Sequence, residues 1–167
     1  VLCSRWEAVA QRLRNAEQIP DDPPPGLRAE LRPYQRRGAA WLRRLSAWGM
    51  GAVLADDMGL GKTVQAIAVL LARADEGPAL VVAPTSLGAN WRRELARFAP
   101  SLRVQLWRET ERDVATIRAL GPGDVLITSY DLARINSVAF HAGRWASLVF
   151  DEAQRVKNAA TKTARAL

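Results

Sequence analysis

The sequence predicts an α/β domain built on a mostly parallel sheet with helices on both faces. Short apolar runs at 52–55, 80–83, 125–128 and 148–150 alternate with stretches whose apolar residues recur at helical spacing. Buried parallel strands read in this way, since helices cover both of their faces. The composition agrees. Of 167 residues, 49% are hydrophobic and 25% charged, enough apolar material for a core. In such sheets ligands bind at the carboxyl ends of the strands.

Ser4 and Glu7 have the spacing of a capping box, and Trp6, Val9, Ala10, Leu13 and Ala16 follow at helical intervals. Residues 4–18 are therefore expected to form an amphipathic helix whose apolar stripe packs on a neighbour. Residues 20–26 hold four of the nine prolines. Proline has no N–H to give a helix or ladder, so this is an extended linker. It separates residues 1–19 from the main body, so that helix and linker together make up residues 1–26 and the body residues 27–167. Pro33, a good first helical residue, opens a helix to about residue 48, with Tyr34, Trp41, Leu42, Leu45 and Trp48 on one side. Strand 52–55 and helix 62–74 follow, then strand 80–83. Helix 86–98 carries a stripe of Leu87, Trp91, Leu95 and Phe98. Strand 104–107, helix 110–120 and strands 125–128 and 148–150 come next, and a helix starts near 161. Trp41, Trp48 and Trp91 are expected in the core; Trp107 and Trp145 suggest no role.

Several classes of function are excluded early. Cys3 is the only cysteine and His141 the only histidine, which leaves no disulfide within these residues, no cysteine-rich zinc site and no ground for a His-based metal site or triad. The longest apolar run is seven residues, against the ~20 a membrane-spanning helix needs. The net charge of +7 suits a polyanionic partner.

The chemistry collects after two of the apolar runs. Asp56-Asp57-Met58-Gly59-Leu60-Gly61-Lys62-Thr63 follows the first. Gly59 and Gly61 let backbone N–H groups turn inward around phosphate, and a helix N-terminus adds its positive dipole end. Lys62 can reach the β- and γ-phosphates, and the Thr63 hydroxyl can ligate Mg²⁺. Asp56 stands where the general phosphate-loop pattern has glycine. About 90 residues later the run 148–150 ends in Asp151-Glu152-Ala153-Gln154. An apolar strand delivering two adjacent acids suits ATP hydrolysis, with Asp151 holding Mg²⁺ and Glu152 orienting or deprotonating water. Such a pair elsewhere is often only a helix N-cap.

Further segments surround these two. Leu31-Arg32-Pro33-Tyr34-Gln35 precedes the loop; Val82-Ala83-Pro84-Thr85-Ser86-Leu87 with Asn90-Trp91 follows it, and then Ile127-Thr128-Ser129-Tyr130 and Asp151 to Asn158. In this order and spacing, the set closely resembles the first RecA-like lobe of the Swi/Snf-type helicase-like ATPases, bacterial members above all, over residues 28–165. The resemblance implies a RecA-like ATP-binding lobe and assigns roles. Gln35 would recognise adenine. Met58, Gly59, Leu60, Gly61, Lys62 and Thr63 would hold ATP and Mg²⁺. Asp151, Glu152 and Gln154 would form the hydrolytic motif, although many relatives have histidine in place of Gln154. Thr85, Ser86, Thr128 and Ser129 would lie on the DNA phosphate backbone, where hydroxyls bind without reading sequence.

It also implies partners: double-stranded DNA without sequence preference, and a second RecA-like lobe supplying an arginine finger. No membrane partner is expected, and the expected setting is the bacterial cytoplasm, at the nucleoid. The family's next strand, after the acidic motif, is not among these residues. The expectation is a sheet truncated before its last strands, marginal or self-associating alone and inactive in hydrolysis. The rival readings are a restriction or defence translocase, an ATP-sensing module without turnover, and a phosphate-loop kinase or GTPase.

Overall fold

A computed structural model describes residues 2–57, 59–107 and 114–156. The chain divides into two compact units, Val1–Ala72 and Arg73–Leu167. The division does not fall at the proline-rich linker, because the helix before the linker packs on the helix after it.

The first unit is helical: α1 (Leu2–Glu17), α2 (Pro33–Ala47) and α3 (Lys62–Ala72). α2 packs against both others. Gly38 of α2 meets buried Gln65 of α3 so closely that a Cβ there would collide with its side-chain amide. The linker is extended but not loose. Arg44 donates to Ile19 O at 2.6 and 3.1 Å and pairs with Asp21 at 2.9 Å, and Arg43 donates to Asp22 O at 2.8 Å.

Four sequence expectations fail here. α1 begins at Leu2, so Ser4 is not its cap. Its apolar stripe does not pack as expected: Trp6 is 70% exposed, Val9 and Leu13 are exposed, and Ala16 is buried. Trp41 is also exposed, while Trp48 is half-buried and its ring N–H reaches Leu13 O at 3.5 Å. Residues 51–57 form no strand, and Val53 is 78% exposed. An apolar run becomes a strand only when neighbours take its N–H and C=O groups, and none does so here among the described residues.

The second unit holds the sheet. Its elements are β1 (Ala79–Ala83), α4 (Gly88–Phe98), β2 (Arg103–Leu106), α5 (Val114–Arg118), β3 (Asp124–Ser129), α6 (Tyr130–Ile135), α7 (Ser137–His141) and β4 (Ser147–Phe150). The strands are parallel in the order β2-β3-β1-β4. Order follows hydrophobicity: β1 and β3 are buried at every position and lie inside, whereas β2 and β4 are partly exposed and form the edges. Leu148 on β4 is 53% exposed, and β4 has no second partner among the described residues.

The two tryptophans without a role prove to be core pieces. Trp107 is buried and meets Phe140 edge-on at 5.3 Å, and Trp145 donates to Phe140 O at 2.9 Å. Arg103 ties the start of β2 to Asp124 of β3 at 2.9 Å. The expected helix 110–120 is observed as Val114–Arg118; residues 108–113, and the helix expected from about 161, lie outside the described residues.

Candidate functional site

In the first unit, Gly59 and Gly61 both have positive φ, 84° and 75°, which glycine alone adopts without strain. The turn they make delivers the chain into α3, whose first two residues are Lys62 and Thr63. The Lys62 ammonium folds back over its own loop and donates to Asp56 O at 2.7 Å and Asp57 O at 3.0 Å. The ammonium is thus held against two backbone carbonyls of its own loop, beside the start of α3.

Gln35 ties this loop to the start of α2. Its Oε1 accepts from Arg32 N at 2.9 Å, and its Nε2 donates to Leu60 O at 3.1 Å. The Tyr34 hydroxyl donates to the same carbonyl at 3.2 Å. A Cβ on residue 61 would meet left-handed backbone and would also push the Gln35 amide aside. Both ends of the amide assigned to adenine are therefore already in use. Adenine would have to displace or share these bonds. Leu60 is exposed and touches this cluster through its carbonyl; Met58 lies outside the described residues.

In the second unit, Asp151 follows β4 directly, at the carboxyl end of the sheet. Its N–H donates to Val82 O at 2.9 Å, continuing the ladder. Its carboxylate accepts from Trp91 Nε1 at 2.8 Å on Oδ2 and from Glu152 N at 3.0 Å on Oδ1. Its carbonyl accepts from the Tyr130 hydroxyl at 2.7 Å. Glu152 has φ +53°, and it is the only non-glycine residue with positive φ among the described residues. Left-handed backbone costs roughly 1–2 kcal/mol in such a residue and collects at functional positions. The Gln154 amide donates to the Glu152 carboxylate, so two of the three predicted acid-motif side chains are in contact.

Among the described residues, no group of three or more His, Cys, Asp or Glu side chains could hold a metal alone. Asp151 nevertheless fits Mg²⁺. Each of its oxygens has one N–H donor and keeps a lone pair, and Mg²⁺ takes one or two carboxylates with water and phosphate oxygens completing its shell.

The four residues assigned to DNA separate into two pairs. Thr85 and Ser86 are exposed on the 3-10 turn between β1 and α4. Thr128 and Ser129 are buried at the end of β3. Thr128 Oγ1 has no hydrogen-bond partner among the described residues, and Ser129 Oγ accepts from Leu132 N at 3.2 Å, capping α6. At Ser129 the hydroxyl serves the helix cap rather than facing outward. Lys157 and Asn158 lie outside the described residues.

Sequence reasoning gave Trp91 only a packing role and Tyr130 none. The signal was partial: a buried indole N–H or phenol usually finds an acceptor, but the sequence does not say which.

The profile of the SNF2-related domain matches residues 34–167. YwqA of Bacillus subtilis (strain 168) is 40% identical over 173 aligned residues, covering 99% of this chain and 19% of YwqA. The chromatin-remodeling ATPase INO80 of Cryptococcus neoformans var. neoformans serotype D (strain B-3501A) is 37% identical over 153 residues, covering 83% of this chain and 9% of its own length. The chain thus spans less than a fifth of these relatives. The Sulfolobus solfataricus SWI2/SNF2 ATPase core in complex with dsDNA is similar in structure, with a TM-score of 0.78 and 39% identity, over 89% of this chain and 31% of that one. The expected RecA-like α/β class is thereby established, and the chain belongs to the SNF2-related family of helicase-like ATPases.

Proposed function

We propose that this chain is the ATP-binding part of a motor that moves along double-stranded DNA without separating its strands. The observation that carries the reading is the loop at Gly59–Thr63, where two glycines with positive φ lead into α3 and the Lys62 ammonium is folded back onto the carbonyls of Asp56 and Asp57. ATP phosphates would take over the ammonium from the Asp56 and Asp57 carbonyls. Gln35, beside the loop, is the residue nearest in chemistry to an adenine reader.

Asp151 would hold Mg²⁺, which when bound neutralises phosphate charge, and the Thr63 hydroxyl is of the type that ligates Mg²⁺ in a phosphate loop. Glu152 would orient the attacking water and take its proton. Gln154, bonded to Glu152, would steady that carboxylate. A dsDNA partner is supported by the solved structure of the similar Sulfolobus protein. Thr85 and Ser86 are the exposed hydroxyls available to it; Thr128 and Ser129 would shape the adjoining segment from within. A second lobe would bring the arginine finger, so the 167 residues alone should hydrolyse ATP negligibly.

The test is a titration of ATP against wild type and Lys62→Ala. Loss of affinity in the variant is expected; equal affinity would overturn the phosphate-loop assignment. Stimulation of turnover by duplex DNA, in the full-length protein, tests the motor reading in turn.

A further inference from the structure

We propose that Trp91 and Tyr130 are positioning residues for the metal-binding turn: they lock the Asp151 carboxylate and the Asp151–Glu152 peptide in one orientation. The inference rests on Asp151 being a Mg²⁺ ligand, as read above.

The geometry is that of a grip from two sides. Trp91 lies on α4 and is 2% exposed, and its Nε1–H donates to Asp151 Oδ2 at 2.8 Å. Tyr130, buried at the start of α6, donates its hydroxyl to Asp151 O at 2.7 Å. That carbonyl belongs to the peptide joining Asp151 to Glu152. The N–H of the same peptide donates to Asp151 Oδ1 at 3.0 Å. The peptide plane is therefore held at both ends, and the carboxylate at both oxygens.

Such fixation is needed here for two reasons. A carboxylate at the end of a strand has two free torsions, and holding one rotamer costs entropy unless the protein supplies the constraint beforehand. Glu152 also sits in left-handed backbone, φ +53°, a conformation that persists only when its surroundings determine it. The Tyr130 bond is made at the peptide leading into that residue. Partners of metal ligands act in this way generally, by orienting the ligand rather than touching the metal. Each Asp151 oxygen keeps a lone pair for the cation.

The test uses the full-length protein and substitutions that remove one hydrogen bond without changing shape. At position 91, 3-benzothienylalanine replaces the indole N–H by sulfur, and 5-fluorotryptophan keeps it. Tyr130→Phe removes only the hydroxyl. Mn²⁺ affinity is read by electron paramagnetic resonance in the presence of a non-hydrolysable ATP analogue; affinity for the analogue without metal, and the melting temperature, are read in parallel. The expected result is an Mn²⁺ Kd raised about 10-fold by benzothienylalanine and by Tyr130→Phe. The fluorinated protein should match wild type, and metal-free analogue affinity should be unchanged throughout. Asp151→Asn should weaken Mn²⁺ binding further still. If Asp151→Asn weakens it and the two isosteric variants do not, Trp91 and Tyr130 merely fill space and the inference is overturned alone. If Asp151→Asn binds Mn²⁺ like wild type, the metal-ligand reading fails and takes this inference with it.

Discussion

The phosphate loop and the acidic turn are built by opposite means. The loop's lysine finds its partners five and six residues away in its own chain, and a remote contribution comes from Gln35 and Tyr34 at a single helix start. The acidic turn is held by side chains 60 and 21 residues distant, rising from the core of a sheet unit. Glycine makes the first site by permitting a shape. Buried aromatic donors make the second by enforcing one. Substitutions in the loop should therefore act locally on nucleotide binding, whereas substitutions around the turn should affect chemistry and stability together.

The largest effect should come from the turn itself. In the full-length protein Glu152→Gln is expected to lower turnover by roughly 10²–10⁴-fold while ATP still binds, because only proton transfer is lost. Steady-state kinetics beside equilibrium binding separate the two. A variant that lost binding and turnover equally would make the turn a nucleotide-holding element like the loop, and the contrast would collapse.

Next in size is Trp91→Ala. Truncating a buried tryptophan costs about 3–5 kcal/mol, and here it also removes a donor from Asp151. Hydrogen exchange should show the loss in β1, β3 and β4 and spare α2 and α3. Uniform loss over the whole chain would mean that the two units do not unfold separately.

The loop's counterpart is Gly61→Ala. A Cβ there meets left-handed backbone and the Gln35 amide, so a cost of about 1–2 kcal/mol is expected from the backbone alone. Pairing it with Gln35→Ala should recover the part due to collision. A double-mutant cycle on chemical denaturation measures that part; strict additivity would show that Gln35 does not press on the loop.

The smallest effect is Ser129→Ala, which removes the cap of α6 at about 1 kcal/mol and should lower the melting temperature by a few degrees. DNA affinity should hardly change, whereas Thr85→Ala with Ser86→Ala should weaken it. The reverse pattern would restore Ser129 as a backbone-contacting hydroxyl.

These contrasts also explain what was legible in the sequence. The loop could be read residue by residue because its logic is local: glycines, then a lysine, then a helix. The inner strands were legible for the same reason, since β1 and β3 are apolar where they are buried. The run 52–55 has the same apolar character but pairs with no strand among the described residues, and pairing is not written in a strand's own residues. The stripe of α1 was legible as a pattern while its cover was not, and Trp6 is exposed. The grip on Asp151 was illegible in principle. It depends on α4, the start of α6 and β4 meeting at one point of the fold, and only the sheet order brings them there.

The division of labour between Lys62 and Asp151 is the centre of the account, and one binding experiment addresses it. ATP affinity is measured with Mg²⁺ and with a chelator for wild type, Lys62→Ala and Asp151→Asn. Lys62→Ala should lose affinity under both conditions. Asp151→Asn should match wild type in chelator and fall behind it only when Mg²⁺ is added. If Asp151→Asn gains from Mg²⁺ as wild type does, Asp151 is not the metal's ligand and the assignment of the acidic turn is wrong.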